Sequence, residues 1–598
     1  MDMSDETTTL TSINSHSTWS SNRYYEIILL AFSLGLTNTE QFMEESMEPG
    51  LHAFFGYIAV LVILGVPLVI VELSLGQYSR KGIIKFWEIC PLFYGFGYLS
   101  FVLTLSNMVL NLTISSQILK YTLNQFFWES GWDKCSNEWN SEYCFTLKTN
   151  FTRILDCYDL HGEEDCDRGR WESSYNQYFY RTILIHGNDI ILWTQLLLAS
   201  LTMLALTGIA YKGWRFMEKC ILICILLAAV NFSILLYVSL IQRGAGEGLK
   251  LYMRFNFVRL KELEFWTKAF EQTVWTTGIG QGALKLLGSE NKFRGHSYMN
   301  GLMIILLHIS VTFVELILYL ILCGNISYTL YQPVETAFHD KENFMFAKIP
   351  KMLESLQGSH KLWCFLYYSH LFLIVFSKML VLLHVILEST VEIFPRTQNH
   401  PKKTIFIACI AIICCCVPCM SKLGSLFWIF LDQVAIRGSL ILFALLFQLI
   451  VIIYIYGLAT VVDDLHFMLG FRISLFYQII LFLSPVITFI CYVVRFKAFM
   501  DYAETVAFIS EAEKRLLVIV QFLPIVVKIG YIIWHTKKMI WTCKWENVLS
   551  PSDSWYLTDQ ILRKSREMFS SSNMTEEYLY RQSKRREIHA HETMYDNE

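Results

Sequence analysis

A carboxylate inside an otherwise apolar stretch is the first place to look for chemistry in this chain. Residues 58–77 read IAVLVILGVPLVIVELSLGQ, and Glu72 stands near the end of that run, ahead of Gly76 and Gln77. A charge at mid-bilayer costs roughly 2.5–3.5 kcal/mol on insertion scales, so such a group faces a protein interior or an aqueous path. Two other apolar stretches are interrupted by glycine and small polar residues: Ala31-Phe-Ser33-Leu34-Gly35-Leu-Thr-Asn38, and Thr276-Thr-Gly278-Ile-Gly280-Gln-Gly282. Glycine in a helix interior costs roughly 1 kcal/mol against alanine. Three at alternate positions therefore predict an unwound segment. Paired broken helices in corresponding halves of a chain point to a midplane binding site between inverted repeats, whereas glycine for close helix packing is the alternative. No Ser-His-Asp, zinc or phosphate-loop constellation stands out, so no enzyme is expected.

The elements that must position these residues are membrane spans. The 598-residue chain is 54% hydrophobic and 17% charged, with a mean hydropathy of +0.40, which excludes an ordinary soluble globule. A net charge of −3 gives no reason to expect nucleic acid. Apolar runs near the roughly 20 residues that cross a bilayer recur at about 24–44, 52–75, 97–126, 190–209, 217–241, 266–286, 298–324, 362–387, 404–421, 425–458, 471–495 and 515–536. Without a closed barrel, only helices satisfy every backbone hydrogen bond in lipid. The prediction is an all-α polytopic membrane protein with twelve transmembrane helices. The breaks fall in spans one and six, five apart, which fits a 5+5 inverted repeat plus two helices: repeat one at about 23–241, repeat two at about 262–458, extra helices at about 471–536.

Lysine and arginine cluster after the second, fourth and eighth spans (Arg80, Lys81, Lys85; Lys212, Arg215, Lys219; Arg396, Lys402, Lys403) and in the tail after Trp534. The positive-inside rule then puts both termini in the cytoplasm. Residues 1–22 form a polar N-terminal tail without signal-peptide features, and residues 539–598 a charged C-terminal tail. The long loop 127–189 becomes extracellular. It holds Cys135, Cys144, Cys157 and Cys166, an even set in an oxidising compartment, and the glycosylation sequon Asn150-Phe-Thr.

These pieces resemble the neurotransmitter:sodium symporter family (solute carrier family six), with its leucine-transporter-like fold, from about Trp19 to Trp534. The likeness is carried by Pro67-Leu-Val-Ile-Val-Glu72-Leu-Ser-Leu-Gly76-Gln77 and Trp87-Glu-Ile-Cys-Pro91. Trp132 to Cys144, Gly244-Ala-Gly-Glu-Gly248, Ser289-Glu-Asn291-Lys292-Phe293 and the tenth-span exit from Ile455 to Arg472 add to it. The resemblance implies a plasma-membrane, multi-pass secondary transporter moving a small amino-acid-like solute by alternating access. It further implies sodium as the nominal driving ion, a Cys135–Cys144 disulfide, and a structural role for Glu72 in organising the unwound first span. Chloride dependence and oligomeric state are not fixed by it, and no other cofactor is implied. The substrate would meet Gly35, Trp275, Thr276 and Gly278. Family ion positions fall on Ala31, Ser33, Leu34, Asn38, Thr276, His308, Thr312, Ser377 and Lys378. Gate positions fall on Gln41 and Asp432 outside, His16 and Glu392 inside.

Several of those positions depart from the family pattern. Gln41 stands where the family has the outer-gate arginine, and His16 where it has the inner one. Gly35 matches the amino-acid carriers rather than the monoamine carriers, which have aspartate there. Ser377-Lys378 occupies the second sodium position, where an ammonium would repel sodium, and His308 replaces a sodium-binding asparagine. Glu315, one turn beyond Thr312, is a candidate counter-ion for Lys378 or a proton site. No tyrosine lies between Phe101 and Lys120, where the family uses one for the substrate carboxylate. Three readings follow: a nominally sodium-driven carrier with degraded sodium sites; a sodium-independent carrier, proton-coupled or exchanging; or a transporter-fold receptor or scaffold that does not transport.

Overall fold

In the computed structural model the described residues are 21–35, 50–125, 132–141, 144–146, 172–180, 192–293, 295–331, 333–334, 343–421, 430–436, 438–505, 549–552, 554–555 and 560–569, with a few isolated positions besides. They form an all-α membrane protein. Its helices are α1 (Asn22–Ser33), α2 (Leu51–Ser79), α3 (Gly95–Asn124), α4 (Trp193–Tyr211), α5 (Trp214–Ile241), α6 (Ala245–Tyr252), α7 (Leu263–Thr277) and α8 (Ala283–Ser289). They continue as α9 (Ser297–Leu330), α10 (His360–Ile393), α11 (Pro401–Cys416), α12 (Ser439–Ile455), α13 (Leu458–Leu469), α14 (Leu475–Thr505) and α15 (Gln560–Glu567). Eight of these are long and apolar enough to span a bilayer among the described residues. The pair α12–α13 makes a ninth candidate, bent by 86° at Tyr456-Gly457, where Gly457 has φ +98°. The broken first and sixth spans fall short because their helices are cut, and the twelfth expected span lies mostly outside the described residues.

The long helix α10 is the central post, lying along both α3 and α5. Towards the periphery, α5 presents Ile223, Leu226, Leu227, Val230 and Ile234 to the surroundings. Exposed apolar side chains in that density suit hydrocarbon rather than water. Pro67 cannot donate a helical hydrogen bond, and α2 accommodates it with a π turn over Leu61–Gly65 immediately before it.

Glycine brings α8 against α2. A Cβ on Gly76 would lie 2.1 Å from the Lys285 carbonyl oxygen, and one on Gly288 would lie 2.3 Å from the Leu73 carbonyl oxygen. The second-span signature is therefore the footprint on which the second half of the sixth span sits. Farther along, Trp132 is buried in a nest of Tyr121, Tyr175 and Tyr178, with Tyr121 stacked on it at 4.7 Å. Cys135 and Cys144 are bonded next to it, their Cα atoms 5.6 Å apart. Two two-residue strands, Cys144–Phe145 and Glu172–Ser173, pair in parallel and pin the ends of the loop together. At the opposite end, Trp555 is fully buried against Phe86, and Arg566 of α15 donates to Asp464 of α13 at 2.7 Å.

Candidate solute and ion site

The two sequence breaks meet. Helix α1 stops at Ser33, and Leu34 turns to extended backbone (φ −75°, ψ 143°) before Gly35. Helix α7 stops at Thr277; Gly278, Gly280 and Gly282 then take φ of +70°, +83° and +91°, and α8 begins at Ala283. Left-handed backbone of this kind is open to glycine at little cost. A Cβ on Gly278 would strike the Phe32 ring at 2.4 Å, so Phe32 of α1 lies directly on the sixth-span break.

Lys378 reaches this junction from α10. It is 2% exposed, and its Nζ lies 2.9 Å from where a Cβ on Gly35 would stand. The same amine is over the Phe32 ring, 6.0 Å from its centroid. The Lys378 amine thus occupies the edge of the first-span break instead of extending to the membrane surface. Of the other residues at family ion positions, Ala31 and Leu34 are buried apolar side chains, able to offer backbone oxygen only. Ser33 donates to Leu30 O at 3.0 Å, and Ser377 donates to Leu373 O at 2.8 Å, so both hydroxyl protons are spent on their own helices.

A second cluster joins α2, α7 and α9. His308 Nε2 is 2.7 Å from Tyr57 Oη, which is 3.1 Å from Thr276 Oγ1, which in turn donates to Gln272 O at 2.7 Å. With the Thr276 proton committed to Gln272, Tyr57 donates to Thr276 and His308 donates through Nε2–H. One turn on, the Thr312 hydroxyl is buried and has no hydrogen-bond partner among the described residues. Trp275 is buried beside Thr276.

The third piece holds the break open. Glu72 Oε1 accepts from Gly280 N–H at 2.8 Å and from the Gln448 amide of α12. Lys285 of α8 donates to Gln448 Oε1 at 2.5 Å and stands 4.6 Å from the Phe86 ring centroid. Glu72 and Lys285 are 2% and 0% exposed, so a carboxyl group and an amine are sealed in the interior with one carboxamide linking them. On the other side, α3 holds Gln281: Thr104 donates to its carbonyl at 3.2 Å and Asn107 to its side chain at 3.0 Å, with Asn111 bonded to Asn107 at 2.7 Å. The backbone amide described on Glu72 therefore belongs to the sixth span, whereas the sequence led us to expect the first. Lys285, Gln448 and Tyr57 were missed by the sequence reading, although a lysine inside Ala-Leu-Lys-Leu-Leu carries the same signal that drew attention to Glu72.

Among the gate positions, Asp432 is fully buried within the π-helical segment Phe430–Ile436. Glu392 accepts from Gly82 N at 2.8 Å and Ile84 N at 3.0 Å, tying α10 to the loop after α2. His16, Asn38, Gln41 and Asn150 lie outside the described residues. Glu315 lines, with His370 and with Leu34 of the first-span break, a cavity of about 290 Å³ walled by α1, α5, α9 and α10.

Together these features define a polytopic helical membrane protein whose two interrupted spans converge on buried polar and charged groups. The family model described as the Sodium:neurotransmitter symporter family matches residues 16–538, and the chain belongs to that family. It is similar to the sodium- and chloride-dependent betaine transporter of Caenorhabditis elegans, 23% identical over 458 residues, 76% of each chain. It is 24% identical over 489 residues to the sodium-dependent dopamine transporter of Bos taurus, covering 78% of this chain and 67% of the relative. Against the Homo sapiens sodium- and chloride-dependent neutral and basic amino acid transporter B(0+) it is 24% identical over 490 residues, covering 77% and 75%. The chain is a member of a secondary-transporter family and not an enzyme.

Proposed function

We propose that this protein is a carrier for a small amino-acid-like solute in which a resident ammonium replaces one of the mobile cations its relatives use. The observation that carries the reading is Lys378 Nζ against Gly35 at the first-span break. A sodium ion there would meet a like charge in a low-dielectric site, and at 4 Å with an effective dielectric of 20 that repulsion is about 4 kcal/mol. The residues at the second sodium position do not fit sodium. The α2–α7–α9 cluster is different in kind: the protons of Thr276, Tyr57 and His308 Nε2 are committed to Gln272 and to one another, and the Thr312 hydroxyl, without a hydrogen-bond partner among the described residues, is left to meet a small anion. Chloride, named for two of the relatives above, is the anion that hydroxyl would meet. The solute would lie against Gly35, Trp275, Thr276 and Gly278, with the Lys378 ammonium in reach of a carboxylate.

The loop charges support cytoplasmic termini, and the family resemblance supports residence in the plasma membrane. The outer loop then carries the Cys135–Cys144 bond and Asn150, and Asp432 with Gln41 and Glu392 with His16 mark the two gates. The test is uptake of labelled betaine, GABA and neutral amino acids into vesicles, with sodium replaced by N-methyl-D-glucamine. Uptake that persists without sodium supports the resident-cation reading, and uptake that collapses without sodium and saturates with it refutes that reading. No uptake of any solute under either condition favours a receptor or scaffold instead.

A further inference from the structure

A separate cluster lies at the Glu392 end of the bundle. Glu290 caps α8, and His384 and Glu388 stand four residues apart on one face of α10. One ligand atom from each of the three lies within 4.8 Å of the other two. His384 Nε2 is 2.8 and 3.1 Å from the two Glu290 oxygens, and Glu290 and His384 are 5% and 6% exposed. Trp214 of α5 stacks on the imidazole at 3.9 Å and fixes its plane. Glu218 of α5, 1% exposed, is a further carboxylate acting on His384, and Tyr25 of α1 faces Glu290.

We propose that Glu290, His384 and Glu388 form a zinc site that clamps α8 to α10. Two carboxylate oxygens and one imidazole nitrogen, brought from α8 and α10 to within 4.8 Å of one another in the interior, are gathered as a bound metal would gather them. One imidazole nitrogen with carboxylate oxygens is a borderline donor set suited to Zn²⁺. Tetrahedral zinc places its ligand atoms about 3.4 Å apart, given bonds of about 2.0–2.2 Å, which the three side chains reach by small torsional changes. Two carboxylates and a neutral imidazole around Zn²⁺ leave a neutral centre, with water as the fourth ligand. Because α8 is the half-helix beyond the sixth-span break and α10 is the central post, zinc would lock the two together. That consequence for transport rests on the carrier reading; the binding itself does not.

The experiment uses full-length protein purified with a histidine-free tag, equilibrated with zinc chloride and desalted, with zinc per chain read by mass spectrometry and affinity by ⁶⁵Zn titration. About one zinc per chain is expected, with affinity at least about 10-fold weaker in His384→Ala and Glu290→Gln. Should those variants fail to fold, Glu388→Gln at the half-buried ligand carries the same comparison. A triple Cys414→Ser, Cys415→Ser, Cys416→Ser variant is expected to keep its zinc. No zinc in the wild type, zinc unchanged in the site variants, or zinc lost with the cysteines would overturn the proposal.

Discussion

Neutralising one member of the sealed Glu72–Gln448–Lys285 chain should cost far more than neutralising both ends. In Glu72→Gln the carboxamide oxygen can still accept from Gly280 N–H, so the change removes charge with little loss of geometry. It leaves Lys285, 0% exposed, without its counter-charge. Lys285→Met does the reverse, stranding Glu72. Removing one partner of a buried pair costs about 3–5 kcal/mol, while replacing both by uncharged groups of similar volume is often close to neutral. Independent sites would give about 6–10 kcal/mol in the double variant; the linked chain is expected to give at most about 3 kcal/mol, a coupling of about 3 kcal/mol or more. The assay is equilibrium unfolding of the purified protein in mixed detergent micelles, followed by helicity. Single variants each costing under about 1 kcal/mol, or a double variant whose cost is the sum of the singles, would refute the claim that this pair braces the sixth-span break.

Other consequences are local. Gly35→Ala meets only the far end of the flexible Lys378 side chain, so stability should change by under about 1 kcal/mol, whereas Gly278→Ala meets the Phe32 ring with φ at +70° and should cost about 1–3 kcal/mol; the same unfolding assay separates them. Tyr57→Phe removes the hydroxyl between His308 and Thr276 and should cost about 1–3 kcal/mol by leaving a buried polar group unpaired. Arg566→Ala loses a charged hydrogen bond to Asp464 worth about 1.5–3 kcal/mol, and limited proteolysis should then cut the chain near residues 549–569 sooner than in the wild type.

Much of the architecture is written in local patterns. Apolar runs of span length announce the helices, and alternating glycines at 278, 280 and 282 announce the break, because both depend on a few consecutive residues. Lys378 was legible only through register: counting back from Phe394-Pro395 places it on the α10 face that meets Gly35. What the sequence hid are pairings across distance. Nothing in Ala-Leu-Lys285 tells that its amine finds Gln448, 163 residues later, on the way to Glu72. The same holds for Tyr57, which bonds a histidine 251 residues away, and for Glu290, whose partner His384 lies 94 residues away.

The resident cation is tested most directly by equilibrium binding of ²²Na⁺ to the purified protein and to Lys378→Ser, alone and combined with His308→Asn. Little saturable binding is expected in the wild type, rising to a saturable site when Lys378 becomes serine, with the double variant tighter still. Stoichiometric, saturable sodium binding in the wild type, unchanged when the ammonium is removed, would contradict it.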